Sequence, residues 1–380
     1  MIRIVRPVMS PEEIEAAARV LRSGQLTQGE EVRRFEAELA SFLGVKHAVA
    51  VSSGTAALHL SLLALGVGPG VEVIIPDFTF PATGNVVFLT GAVPVLADVD
   101  EVTLTLTAAE ISRRITSRTR VVMPVHLFGY PAAVREIAAA AEEARLSLLE
   151  DAAGALGSRV NGRFCGTFGR AGCFSFHPRK SLTTGEGGAV VTDDERLAEL
   201  VRRYRNHGMV QRGSVTRFEL AGLNYRMTEV AAAVGRVKIP RLPALLARRA
   251  ELAGEYAQAL AGLTEVTPPP SPEGGGHTYQ AYVVRLAAEV PREELIAEMA
   301  SRGVETVRGT YALHAEPLYQ HRLGCRDRDY PASWAAARDT LALPFYPEMT
   351  REEVGAVVRA LEESLLKVGK RPAGGRTRTP

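Results

Sequence analysis

The chain of 380 residues has only three cysteines, Cys165, Cys173 and Cys325, odd in number and far apart. They make neither a disulfide framework nor a paired-cysteine metal knuckle, so a reducing compartment is expected. The eight histidines show no HxxH or HExxH spacing, which argues against a metal site. No stretch approaches the ~18 uninterrupted apolar residues of a transmembrane helix. Residues 1–13 (MIRIVRPVMSPEE) lack the apolar centre of a signal peptide. The expectation is a soluble, cytoplasmic protein with no membrane partner. An excess of charge is also missing: the net charge of +2 gives no reason to expect a nucleic-acid partner. The exception is the basic, Gly- and Pro-rich stretch 367–380 (KVGKRPAGGRTRTP), read as a disordered terminus. There is no GxxxxGK[ST] loop. GVGPG at 66–70 follows a helical pattern and precedes a strand, the reverse of a dinucleotide fingerprint, and reads as a helix cap and turn.

What is present is a globular composition, 46% apolar, in which short β-rich runs alternate with helical patterns. Strands are expected at 48–53 (AVAVSS), 71–76, 93–98, 120–127, 147–151, 173–177 and 188–192. Helices are expected at 55–65, 108–115 and 132–145. This alternation predicts an α/β domain with a mainly parallel sheet covered on both faces. From residue 228 the pattern is helical to 260, interrupted by Pro240 and Pro243. A loop (TPPPSPEGGG, 267–276) is followed by a strand at 278–286, a helix at 292–302, a short strand near Val304 and a last helix at 351–366. The chain therefore divides into a large domain, 1–239, a smaller C-terminal α+β domain, 240–366, and the tail.

Three stretches have the residue types of a chemical site. In VSSGTAALHL (51–60) a strand ends in Ser-Ser-Gly-Thr and a helix starts at once, which offers free amides and a positive dipole end to an anion. Gly54 permits close approach and Thr55 adds a hydroxyl; an ordinary N-cap has the same look. In LLEDAAGALGS (148–158) Asp151 falls where a buried strand ends, the edge at which open α/β sheets gather ligands. There it can hold a cationic ring nitrogen, or merely cap a turn. In FSFHPRKSLTTGEGG (174–188) Lys180 leaves a strand end three residues after His177. A lysine amine in a partly desolvated site loses its proton readily and forms a Schiff base with a carbonyl. The TTGEGG that follows is open to reading as hinge, phosphate nest or simple turn. Each signal is weak alone. Together they match pyridoxal phosphate (PLP), which has a phosphate, a pyridine nitrogen and an aldehyde.

With these pieces the chain resembles the DegT/DnrJ/StrS family of fold-type-I PLP enzymes, the nucleotide-sugar aminotransferases. The resemblance runs from LTQGEEV at Leu26 to LALPFYPEMT at Thr350, through DFTFPAT, PVHLFGYP, EDAAGALGS, RNHG and GLNYRMTEVAAAVG. It implies that Lys180 carries the cofactor and that Asp151 pairs with the pyridine nitrogen. Gly54, Thr55 and Ser175 would hold the phosphate, and Phe80 would lie against the ring. Asn224 would reach the phosphate of the neighbouring subunit, so a homodimer with shared sites is implied. Thr27 and Gln28 would lie near the active site, and Arg179 would contact substrate. The implied reaction moves an amino group from L-glutamate to a keto group of a nucleotide-linked sugar, by way of pyridoxamine phosphate. A keto-cyclitol acceptor fits the same motifs. The sugar dehydratases of this fold replace the lysine with histidine, and Lys180 speaks against them. Both Lys180 and Asp151 are present, which speaks against a non-catalytic regulator. One departure is Gly154, where many relatives carry Gln or His; it is expected to leave space beside the cofactor for a bulky acceptor.

Overall fold

A computed structural model describes residues 1–272 and 276–369. Seven strands form the central sheet: β1 (His47–Val51), β2 (Glu72–Pro76), β3 (Val93–Ala97), β4 (Thr119–Val122), β5 (Ser147–Asp151), β6 (Ala171–Ser175) and β7 (Gly188–Thr192). Their spatial order is β1-β7-β6-β5-β4-β2-β3. Pairing is parallel from β6 through β5, β4 and β2 to β3, and antiparallel on both sides of β7. The exception has a simple cause. A parallel return needs a crossover helix, whereas β6 and β7 are joined by a short loop without one, so β7 must run back beside β6. That loop contains Lys180.

The sheet is fully buried along β2 and β7, as expected of strands covered on both faces. Alternation along β6 sorts its side chains. Phe174 and, just beyond the strand, Phe176 enter one apolar cluster with Phe35 and Leu39. Cys173 enters the cluster on the other face with Val49, Leu58 and Leu60. Phe174 and Phe176 are fully buried, worth about 1.5–3 kcal/mol each, and they fix which face Ser175 presents.

A second sheet, β8 (Val266–Thr267), β9 (Tyr282–Leu286), β10 (Val307–Arg308) and β11 (Thr340–Leu343), has the order β8-β9-β11-β10 and is antiparallel throughout. It builds a separate core with the helices Leu242–Leu260, Arg292–Ser301 and Arg351–Gly369. Segments of each unit reach into the other. Ile2 bonds the backbone of Gly303 and Glu305, and Ile4 that of Phe345. In the other direction, Leu313, Tyr319 and Tyr330 pack into the core of the large unit.

Several boundaries differ from the sequence reading. The strand expected at 120–127 ends at Val122, because Pro124 interrupts the ladder and 127–129 form a 3-10 turn. The strand expected near Val304 lies at Val307–Arg308, and Val304 itself bridges Ile2. The final helix runs on to Gly369, since Leu365 and Val368 still face the second core. Residues 367–369 are thus helical rather than tail, and the remainder of that expectation, 370–380, lies outside the described residues. Among the described residues no helix is long and apolar enough to cross a membrane.

Candidate active site

The register of the central sheet aligns the three candidate stretches on one edge. Val51 at the end of β1 pairs with Gly188, and Gly188 with Ser175. Cys173 pairs with Asp151 at the end of β5. The loops after β1, β5 and β6 therefore open into one cleft of about 830 Å³, a size suited to a small-molecule cofactor and substrate.

At the β1 exit, Ser53 caps the helix Gly54–Ala64, its side chain accepting from Ala56 N at 3.0 Å. Among the described residues the amides of Gly54 and Thr55 have no acceptor, as at any helix start. Thr55 is exposed into the cleft. Gly54 is required by contact: a Cβ there would lie 2.7 Å from Ser175 Cβ. Closely packed backbone, free amides and the Ser175 and Thr55 hydroxyls form an anion cradle.

The two acidic residues closing β5 face opposite ways, because side chains alternate along a strand. Glu150 turns away and accepts from the amides of Gly166, Phe168 and Gly169 and from His126. It is a structural carboxylate. Asp151 faces the cleft, 4% exposed. Its Oδ2 accepts from Thr83 Oγ1 at 2.9 Å and its Oδ1 from Ala153 N at 3.1 Å. Burial pushes its pKa up, while the Thr83 and Ala153 bonds and the Lys180 charge pull the other way.

After β6 the chain turns at once: Lys180 N donates to His177 O at 2.8 Å, and Arg179 N to His177 Nδ1 at 3.2 Å. The glycine-rich part is a turn that satisfies itself. Thr183 Oγ1 and Thr184 N both donate to Phe176 O, Thr184 Oγ1 donates to Glu186 O, and Gly185 takes φ +84°. The setting of Lys180 thus anchors a short loop between two buried strands. Its amine has no hydrogen-bond partner among the described residues. Burial pushes its pKa down, against the opposing pull of Asp151. A lowered pKa makes the amine available as base and nucleophile.

The structure places Gly54, Thr55, Phe80, Asp151, Ser175, Arg179 and Lys180 around this cleft. Phe80 is 62% exposed, its ring 6.4 Å edge-on from Tyr311. Asn224, Thr27 and Gln28 do not line it in the single chain. Asn224 is exposed and bridges Asn206, while Thr27 pairs with Thr228. The room expected at Gly154 is already taken. A Cβ there would lie 3.0 Å from Gln280 Oε1, a side chain arriving from the second unit. Thr83, Gln280 and Arg308 are cleft residues that the sequence reading missed. Thr83 stood within the quoted DFTFPAT stretch, but nothing local marked it. Gln280 and Arg308 had no sequence signal, because they reach the cleft only through the packing of the two units. Among the described residues no cluster of His, Cys, Asp or Glu could hold a metal ion.

The residues fit PLP on these observations: unpaired amides of Gly54 and Thr55 with the Ser175 and Thr55 hydroxyls beside them for a phosphate, a buried carboxylate for a pyridine nitrogen, and, among the described residues, a partnerless, half-buried amine for an aldehyde. Fold and site together define a PLP-dependent transferase. A family model described as the DegT/DnrJ/EryC1/StrS aminotransferase family matches residues 7–362, and the chain belongs to that family. The chain is 37% identical over 371 residues to the spore coat polysaccharide biosynthesis protein SpsC of Bacillus subtilis (94% of this chain, 95% of that one). It is 38% identical over 341 residues to GDP-perosamine synthase of Caulobacter vibrioides (89% and 91%). Its structure is similar to the crystal structure of the aminotransferase TlmJ from Streptoalloteichus hindustanus, with TM-score 0.90, 35% identity, and 97% and 100% of the two chains covered. The protein is therefore an enzyme, an aminotransferase, and its cofactor is PLP.

Proposed function

We propose that the enzyme transfers an amino group from L-glutamate to a keto group of a nucleotide-linked sugar, for amino-sugar or polysaccharide biosynthesis. The observation that carries this reading is the half-buried Lys180 amine, desolvated at the cleft wall, without a hydrogen-bond partner among the described residues and within the field of Asp151. Amino transfer needs such a base to move a proton between two carbons; dehydration does not keep it. The names of the two relatives, a spore coat polysaccharide protein and a perosamine synthase, support the sugar class.

Bound in the cleft, PLP supplies an aldehyde that captures amines and a pyridine ring that draws off electrons when protonated. The chain's own residues do the rest in this reading. Asp151 holds the proton on the ring nitrogen, and Thr83 holds Asp151. The amides of Gly54 and Thr55 and the hydroxyls of Thr55 and Ser175 bind the phosphate. Phe80 covers one side, and Arg179 meets the substrate at the mouth. Lys180 Nζ takes the proton from the α-carbon of the donor and returns it as an acid.

The reading includes a homodimer. Asn224 lies outside its own cleft, and the hairpin Met209–Arg212/Val215–Phe218 is exposed with Phe218 at 69%, which supports a role for a second copy. Thr27 and Gln28 would then approach the site only in the dimer. The three unpaired cysteines support a reducing, cytoplasmic location. The division after residue 239 is part of the same proposal, supported by the separate second core.

The test is incubation with ¹⁵N-glutamate and a panel of keto-sugar nucleotides and keto-cyclitols. Label is expected in an amino sugar, with 2-oxoglutarate formed in equal amount. Loss of water without nitrogen gain would refute amino transfer, and label only in a cyclitol would change the acceptor class.

A further inference from the structure

Beside Lys180 the two units meet through one side chain. Gln280 Nε2 donates to the carbonyl of Arg179, the residue before Lys180, at 2.8 Å. The segment that delivers Gln280 is held tightly. Thr278 N donates to Gly129 O and Gln280 N to Phe128 O, at 3.2 and 2.9 Å, so 278–280 run along the turn at 127–129. Ser158 Oγ bonds both Gly129 O and Thr278 Oγ1. Gly129 has φ +88°, and a Cβ there would lie 2.3 Å from Thr278 Oγ1.

Within this segment Tyr279 has φ +46°, a conformation that a bulky residue adopts only when its surroundings enforce it. They do so here. The buried Arg249 donates to Tyr279 O at 2.9 Å, the His277 and Tyr279 rings stack at 3.9 Å, and Tyr279 N donates to His277 Nδ1 at 3.1 Å. The backbone kink immediately precedes Gln280, whose side chain enters the cleft over Gly154.

We infer that Gln280 is a positioning residue: its amide, reaching across from the second unit, fixes the turn that carries Lys180, and Gly154 is glycine so that the amide fits. Among the described residues the turn at 177–180 is otherwise held from within its own loop and strand, by Lys180 N–His177 O, Arg179 N–His177 Nδ1 and the long His177 N–Ser175 Oγ bond, so Gln280 adds a tie from the second unit. The Gln280 bond constrains the peptide from which the Lys180 side chain departs. It also ties the placement of the amine to the packing of the second unit. The inference rests on Lys180 as the reactive lysine.

The test uses the holoenzyme and the variants Gln280→Ala, Gln280→Glu and Gly154→Ala. Gln280→Glu keeps the size but replaces the donor with a carboxylate that faces the Arg179 carbonyl. Three readouts are taken on each sample. They are the pH at which the visible absorbance of the Lys180-linked cofactor shifts, the single-turnover rate and half-saturation with glutamate, and the borohydride adduct site by peptide mapping. Both Gln280 variants are expected to move the spectral transition and to slow the single turnover about tenfold, with half-saturation little changed. Gly154→Ala is expected to do the same by displacing the amide, and to cost nothing further in the Gln280→Ala background. Unchanged spectral titration and rate in both Gln280 variants, with the adduct on Lys180, would overturn the inference alone. So would an effect confined to half-saturation, or an equal cost of Gly154→Ala in both backgrounds. An adduct on another lysine would overturn the assignment of Lys180 and this inference with it.

Discussion

Thr83 Oγ1 donates to Asp151 Oδ2 at 2.9 Å, and both groups are buried. Helix Ala82–Leu89 thus holds in place the carboxylate that β5 brings to the cleft. Thr83→Val keeps the shape and removes the bond. We expect turnover to fall about tenfold, in line with a buried charged acceptor losing one donor. Asp151→Asn should cost more, about a hundredfold or beyond, because the ring-nitrogen proton loses its counter-charge. Steady-state rates of both variants under saturating cofactor check the order; near-normal Asp151→Asn turnover would remove that residue from its role.

Linkage gives a pH signature in the cofactor-free protein. The Lys180 pKa is lowered on folding from 10.5, so the unfolded chain binds more protons in the window between the folded value and 10.5. Stability must therefore rise with pH across that window, and the burden of the buried charge is complete below it. Asp151 is raised from 3.8, so its contribution is present in acid and is lost as pH rises through the folded value. Denaturant titrations of wild type and Lys180→Met at several pH values should show the wild type gaining on the variant toward pH 10.5. A constant difference would contradict the burial of the amine.

Gly54→Ala introduces a methyl 2.7 Å from Ser175 Cβ. Backbone or side chain must shift, at a cost of about 1–3 kcal/mol, and the cradle opens. PLP affinity should fall at least about tenfold while the isolated Lys180 pKa effect persists. Equilibrium dialysis of cofactor against wild type and variant decides it.

Mixed dimers test the shared site. Lys180→Ala and Asn224→Ala should each be inactive alone and recover part of the activity after mixing and re-association, because one site of the mixed dimer holds both native residues. A monomer turning over at full rate on dilution would refute the shared site.

The large α/β unit was legible because its strands are short buried runs separated by helical patterns. That Gly54, Thr55, Asp151 and Lys180 share one cleft was legible because each stands just at or beyond a strand end within a local motif. The helical and strand boundaries slipped where a proline or a tertiary contact intervened, as at Pro124 and at Val304, whose bridge to Ile2 no local pattern announces. Gly154 was read as open space because the sequence shows only the missing side chain, not the neighbour that fills it.

The sequence by itself determined which chemically capable residues, Asp151 and Lys180 among them, stand where strands end, since that is a matter of local pattern and connection length. Only the tertiary structure decided what surrounds them. Asp151 and Glu150 are adjacent carboxylates in the sequence. Strand alternation and loop amides make one structural and leave the other to the cleft. Gln280 lies a hundred residues from the lysine turn it bonds (|i−j| = 101 to Arg179). Contacts of that kind depend on how two distinct apolar clusters are brought together, and no periodicity along the chain encodes them.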